Sequence, residues 1–260
     1  ESYFIICLIN KIKKINIAGM IIKILKKIQQ GVTPPVFQGM LFREYINQIF
    51  FRKKIRHLVH YENNFYKRHA FINRAVSKFK NCKYLEIGVY ENDVFNAIPL
   101  KMENKFGVDP ERGGNFRMTS DEFFEKNKHL KFDVIYIDGL HTYLQCQRDC
   151  TNALKSLNKN GIILFHDMLP RSYFEEHIPI KQSSWTGDVW KVAVEILNSK
   201  GLDFKICNID MGIGILKSKD HWEYIKSSEV EKMNFKDYLD LRNKFPLVNS
   251  EEALDFIDQN

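Results

Sequence analysis

The chain has 260 residues, 44% hydrophobic and 27% charged, a balance that excludes disordered and collagen-like classes and allows one sizeable core with an appendage. Its net charge of +7 is unevenly spread: residues 1–83 hold 17 Lys and Arg against 3 Asp and Glu, and residues 84–260 hold 22 against 29. Five cysteines, Cys7, Cys82, Cys146, Cys150 and Cys207, lack Cys-x-x-Cys spacing, and their odd number argues for reduced thiols in a reducing compartment.

Residues 3–9 are apolar but far too few to span a bilayer, and they lack the basic start and cleavage site of a secretory signal. Across residues 1–30, Lys23, Lys26 and Lys27 fall between Ile21, Ile22, Ile24, Leu25 and Ile28. This predicts a basic amphipathic helix that docks on its own domain, on an anionic membrane or on a second copy. Residues 31–35 break the pattern, and residues 37–79 resume as helices with Arg52-Lys53-Lys54, Arg56, Lys67 and Arg68 among Phe50, Phe51, Tyr61, Phe65 and Tyr66. Such interleaving can grip nucleic acid. Aromatic positions on helices are more often core and charge runs more often a solvated face, so nucleic acid is disfavoured.

Residues 83–110 carry the clearest signal. Residues 84–88, Tyr-Leu-Glu-Ile-Gly, read as a buried strand entering a tight turn, and Lys105-Phe106-Gly107-Val108-Asp109 as a second strand stopped by Pro110. This is half of a nucleotide-binding βαβ unit, with Asp109 placed to accept bonds from ribose hydroxyls. From Gly88 the chain reads Gly-Val-Tyr-Glu-Asn-Asp, without the later glycines that admit a pyrophosphate, so a dinucleotide is disfavoured. Glu86, just before the turn, suits a ligand with a positive end. S-adenosylmethionine carries an ammonium and a sulfonium.

Further along, Ser120-Asp121-Glu122-Phe123-Phe124 has the composition of a helix start. Residues 132–138 form a strand ending in Asp138, and Gly139 turns the chain into a helix over about 142–157. Residues 162–167 are another apolar strand, ending in His166-Asp167. After a loop with Pro170 and Pro179, Trp185-Thr186-Gly187-Asp188 leads into a helix over 189–197 with Asp188 as its cap. Residues 204–209 and 212–216 predict an antiparallel hairpin at the sheet edge, and residues 221–260 a helical tail.

The ordered series YLEIGVYEND, FGVDP, TSDEFF, FDVIYIDGLHTY, RDCTNALKSLNKNGIILFHDMLP, WTGDVWK and MGIGIL resembles the class I S-adenosylmethionine-dependent methyltransferases. It looks most like the bacterial subgroup whose fourth strand ends in Ile-Asp-Gly-x-His and fifth in His-Asp. The resemblance implies an α/β, Rossmann-like, doubly wound seven-stranded sheet of order 3-2-1-4-5-7-6 with strand 7 antiparallel. The methyltransferase domain would span residues 82–218, between a basic helical region (1–81) and a helical tail (219–260). It also implies that Glu86, Gly88, Asn92, Asp109, Ser120 and Asp121 line the cofactor. Asn92 stands where the family has glycine; asparagine best tolerates a left-handed backbone among the other residues.

Asp138, His141, His166 and Asp167 should cluster above the carboxyl ends of adjacent strands, where such folds bind ligands. Two routes follow for methyl transfer to a hydroxyl. His141 or His166, with Asp138, acts as the base, or Asp138, His166 and Asp167 hold Mg²⁺ that acidifies the hydroxyl, as the resemblance to metal-dependent O-methyltransferases implies. Trp185 and Trp190 could wall a sugar-like substrate. The expectation is a cytoplasmic O-methyltransferase, peripheral to the inner membrane face if residues 1–30 bind lipid, working in surface-glycan or natural-product synthesis. Its rivals are a catalytically silent binding module and a metal-dependent hydroxylase or lyase on the same scaffold.

Overall fold

The computed structural model describes residues 47, 50–63 and 66–259. The expected helix over 1–30 therefore lies outside the described residues. Helices are α1 (Arg52–Ile55), α2 (Arg68–Ser77), α3 (Asp93–Ala97), α4 (Ser120–Lys126), α5 (Tyr143–Ser156), α6 (Tyr173–Glu176), α7 (Trp190–Asn198), α8 (Ser228–Lys232), α9 (Phe235–Leu241) and α10 (Ser250–Asp258). Strands are β1 (Tyr84–Ile87), β2 (Lys105–Val108), β3 (Phe132–Ile137), β4 (Leu157–Phe165), β5 (Lys200–Cys207), β6 (Ile213–Glu223) and β7 (Leu247–Val248). Among the described residues no helix is long and apolar enough to cross a membrane.

The seven strands lie in the order β2-β1-β3-β4-β6-β5-β7. β2, β1, β3 and β4 run parallel, and β6 is antiparallel to both β4 and β5. The expected centre of the sheet is present, including the antiparallel strand, with β3 and β4 in the places counted above as strands four and five. The edges differ in detail. The strand expected outside β2 is reduced to one bridge, Val108 to Phe116, because the Asn115 side chain serves that edge instead. Its Oδ1 accepts from Gly107 N at 2.7 Å and its Nδ2 donates to Lys105 O at 2.8 Å, occupying groups a neighbouring strand would use. At the opposite edge, β7 pairs with β5. The tail is thus a strand and three short helices, and the β5–β6 hairpin is covered on its outer side.

Period-two alternation divides the core. Leu85, Ile87, Ile135, Ile137, Ile163 and Phe165 share one cluster with Cys150 and Ala153 of α5 and Val192 and Ile196 of α7. Tyr84, Val134, Tyr136, Ile162 and Leu164 share the other with Phe71, Ile72 and Ala75 of α2 and Ala253 and Ile257 of α10. Each fully buried aliphatic or aromatic side chain contributes about 1.5–3 kcal/mol. The same alternation puts positions 86, 138 and 166 on the α2 face, and α2 begins at Arg68. The four described cysteines are buried and free.

Candidate active site

The site stands at the carboxyl ends of β1, β2, β3 and β4 and has two halves. In the first, β1 ends at Gly88, whose φ of 84° and lack of a Cβ let the Asp138 carbonyl pack directly against it. The close approach expected of a ligand is thus made by the protein's own next strand. Asn92 takes the left-handed conformation, φ 65°, at the start of α3. Its Oδ1 accepts from Gly114 N at 2.8 Å, so the side chain is tied to the loop after β2. Asp109 accepts from Tyr90 N (3.0 Å) through Oδ2, and from Glu111 N (2.8 Å) and Arg112 N (2.9 Å) through Oδ1. Asp109 thereby joins the two loops, and Oδ2 keeps acceptor capacity for a hydroxyl.

Two positions next to it serve α4 and α5. Ser120 is buried, and its Oγ accepts from Gln145 Nε2 at 3.1 Å. Asp121 pairs with Arg148 at 3.2 Å on the surface. The cap of α4 is Thr119 with Glu122 in a capping box, one residue before the Ser120 start read from sequence. Glu86, expected to face the ligand's positive end, is 1% exposed and accepts from the Tyr84 hydroxyl at 2.6 Å. Burial lifts its carboxyl to about 8 against the lowering effect of that bond. Glu86 thus spends one carboxylate oxygen on the strand's own Tyr84.

The second half is made of charged side chains. Parallel pairing of Ile137 with Phe165 brings the residues that follow, Asp138 and His166, side by side. His141 Nε2 lies 3.7 Å from Asp138 Oδ1 and 3.1 Å from Asp167 Oδ2. The His141 ring stacks on Trp185 at 5.1 Å, and its Nδ1 lies 2.8 Å from the Trp185 carbonyl. A carbonyl only accepts, so Nδ1 carries the hydrogen and Nε2 faces the carboxylates. Gly187, at φ 60°, packs its α-carbon where a Cβ would collide with the His141 carbonyl. The Trp185–Gly187 loop is thus a brace for His141.

One ligand atom each from Asp138, His141 and Asp167 lies within 4.8 Å of the others, an arrangement that could hold a metal ion. Asp167 is the strongest sign of fit. It is 1% exposed and held at φ 62°, and among the described residues its carboxylate meets the two imidazoles alone, His166 Nδ1 at Oδ1 and His141 Nε2 at Oδ2, each at 3.1 Å. Burial pulls the His141 pKa down, but Asp167 and Asp138 outweigh it and push the ring to about 9. A divalent cation between the carboxylates would take the place of that proton, and two carboxylates with one imidazole suit Mg²⁺ or Mn²⁺.

His166, expected in this set and as a base, lies against both aspartates. Its Nδ1 lies 3.2 Å from Asp138 Oδ1 and 3.1 Å from Asp167 Oδ1, while Nε2 donates to the Asp210 carbonyl at 2.7 Å. Burial opposes its charge, but Asp167 and Asp138 hold its pKa well above the ordinary value. Arg68 Nη1 also lies 3.2 Å from Nδ1. His166 is thus buried beneath the carboxylates, and the imidazole grouped with Asp138 and Asp167 as a possible cation ligand is that of His141.

Sequence reading missed Arg68 and Asp210. Arg68 Nη1 donates to Asp138 Oδ2 at 3.1 Å, and its Nε and Nη2 grip Asp210 at 3.0 and 3.1 Å. No local signal marks either residue. A signal did exist for the tyrosines. Tyr84-x-Glu86 and Tyr136-x-Asp138 place a phenol two residues before each acid, on the same strand face, and Tyr136 donates to Asp138 Oδ2 at 2.9 Å. Of the two tryptophans expected to wall a substrate, Trp185 is half-buried beside His141, and Trp190 is fully buried and donates to Glu176 at 3.3 Å. Asp188 caps α5, accepting from Tyr143 N at 2.6 Å, rather than its own helix α7.

Residues 59–168 match the family described as "Methyltransferase domain". No curated protein matches the sequence. Similar solved structures include an O-methyltransferase from Bacillus cereus in complex with SAH, at 10% identity over 69% of this chain and 98% of that one, TM-score 0.44. The O-methyltransferase TomG from Streptomyces achromogenes, in complex with SAM, is 8% identical over 72% and 100%, TM-score 0.45. The MycE methyltransferase, in complex with Mg, SAH and mycinamycin VI, is 13% identical over 68% and 54%, TM-score 0.39. The family match takes in 110 of the 260 residues and marks that segment as a methyltransferase domain.

Proposed function

We propose that this domain transfers the methyl group of S-adenosylmethionine to a hydroxyl oxygen of a sugar or another hydroxylated small molecule, with Mg²⁺ held by Asp138, His141 and Asp167. The observation that carries this reading is the buried Asp167 carboxylate, which meets only imidazoles among the described residues and groups with His141 and Asp138 so that one ligand atom of each lies within 4.8 Å of the others. A divalent cation bound there would lower the pKa of a coordinated hydroxyl. The rest of the chemistry falls to the chain. Asp109 and the loops it joins fix the adenosine end. Trp185 holds the His141 ring so that Nε2 points inward, and Tyr136 occupies one side of Asp138 Oδ2 so that Oδ1 faces the ligands.

In the transfer, an oxygen–carbon bond forms in line as the carbon–sulfur bond breaks. The sulfonium leaves as a neutral thioether, and the hydroxyl proton passes to solvent. The exposed edge of Trp185 offers a flat apolar face to a sugar ring. Synthesis of surface glycans or of natural products is the setting that such an acceptor suggests, in the cytoplasm or at the inner membrane face if residues 1–30 bind lipid. The test is transfer of labelled methyl from S-adenosylmethionine to a panel of sugars and phenolic or aliphatic alcohols. Transfer that is abolished by chelation and restored by Mg²⁺ is expected. Transfer that survives chelation and the Asp167→Asn substitution would overturn the metal assignment.

A further inference from the structure

Asp138 has a polarised environment. Its Oδ2 takes both the Tyr136 hydroxyl (2.9 Å) and the Arg68 guanidinium (3.1 Å), whereas Oδ1 looks toward His141 and His166. Tyr136 belongs to the same strand as Asp138, so it follows that strand wherever it goes. Arg68 comes from outside the sheet, as the first residue of α2, and its orientation has a separate origin.

That origin is Asp210, in the turn between β5 and β6. Asp210 Oδ2 accepts from Arg68 Nε (3.0 Å) and from the Arg68 backbone N–H (3.1 Å), and Oδ1 accepts from Nη2 (3.1 Å). The one carboxylate therefore grips the guanidinium fork along an edge and caps α2, which has no side-chain cap of its own. The Asp210 carbonyl also receives His166 Nε2. With the fork fixed at one edge, Nη1 is directed to Asp138 Oδ2 at 3.1 Å and lies 3.2 Å from His166 Nδ1. A lysine ammonium could satisfy Asp210 or Asp138, but it has no planar fork to hold both at once.

We infer that Arg68, clamped by Asp210, is a positioning residue that fixes Asp138 with Oδ1 toward the cation site and so sets the affinity of that site for a divalent ion. The inference rests on the Asp138–His141–Asp167 metal assignment and adds to it two residues outside the ligand set. Arg68 acts through orientation. As a positive charge beside the site it opposes cation binding, so a substitution that keeps the charge and loses the fork leaves affinity unchanged if the role is purely electrostatic and weakens it if the role is positioning.

The test measures Mn²⁺ binding to the purified full chain by electron paramagnetic resonance, with S-adenosylhomocysteine affinity by calorimetry and the thermal midpoint measured on the same samples. Arg68→Lys keeps the charge and loses the fork; it should weaken Mn²⁺ affinity about 10–100-fold, the range for residues that orient a metal ligand. Affinity for S-adenosylhomocysteine should stay within about twofold, because Asp109 and Asn92 are untouched. Asp210→Glu keeps the negative charge but moves the carboxylate out by one methylene and loosens the grip on Arg68, and it should shift Mn²⁺ affinity in the same direction by a smaller factor; it decides the matter if Arg68→Lys does not fold. Wild-type protein that binds Mn²⁺ no better than either folded variant overturns the positioning role and leaves the metal site standing. Wild-type protein that binds no Mn²⁺ overturns both.

Discussion

The two halves of the cleft are made from different materials. The half at β1 and β2 is backbone: Asp109 collects three amide N–H groups, Asn92 a fourth, and left-handed residues shape the loops. The half at β3 and β4 is charged side chain, with three aspartates, two histidines and an arginine packed within hydrogen-bond reach. The first half is satisfied as it stands. The second gathers buried carboxylates whose neighbours are imidazoles and one guanidinium, an arrangement that a bound cation would complete. On the function proposed above, binding and chemistry divide along this line, the first half holding adenosine and the second acting on the acceptor.

That division can be broken by substitutions on either side. The largest effect belongs to Asp167→Asn, which removes a ligand charge while asparagine tolerates the φ of 62°. It should lower methyl transfer by more than about 100-fold and leave S-adenosylhomocysteine affinity nearly unchanged, as steady-state kinetics and calorimetry would record. A parallel fall in cofactor affinity would erase the distinction between the halves. Next comes Gly187→Ala, which forces a Cβ into the His141 carbonyl at a left-handed position. Strain of about 1–3 kcal/mol should lower the thermal midpoint by roughly 2–10 °C, with activity falling further because His141 loses its brace.

A smaller effect reads the sheet beneath the site. Burial raises the Glu86 carboxyl to about 8, so the folded protein keeps a proton that the unfolded chain releases in the ordinary carboxylate range. The stability this group contributes is present below that range and lost as pH rises through about 8. Glu86→Gln cannot ionise, and its thermal midpoint above pH 8 should exceed that of wild type by about 2–6 °C, converging with it near pH 5. Smallest of all is Asn92→Gly. It keeps the left-handed turn and loses one bond to Gly114, which should cost about 0.5–1.5 kcal/mol in stability and change cofactor affinity by less than about threefold. A larger gain in affinity would mean that the asparagine side chain obstructs the cofactor.

Much of the fold was legible because its signals are local. Tyr84 to Val108 shows strand, turn and strand by apolar runs and punctuation, and the hairpin declares itself at Asp210-Met211-Gly212. The pairing of Asp138 with Asp167 was also legible, since acids that end adjacent parallel strands must meet. The reduced edge strand was hidden in one side chain, Asn115, whose bonds to Lys105 and Gly107 replace a ladder. The roles of the two histidines were hidden too. Sequence places both near the aspartates, but only the Asp210 and Trp185 carbonyls, 44 residues away along the chain in each case, decide which ring nitrogen is free. Arg68 read as part of a solvated basic face for the same reason: its partners are 70 and 142 residues distant.

If the charged half of the site binds a divalent cation that activates an acceptor hydroxyl, methyl transfer must follow the metal. Labelled transfer to one identified acceptor, assayed before chelation, after chelation and after Mg²⁺ is restored, should be full, then lost to background, then recovered, with Asp167→Asn at background throughout. Equal transfer in all three conditions would contradict the cation assignment.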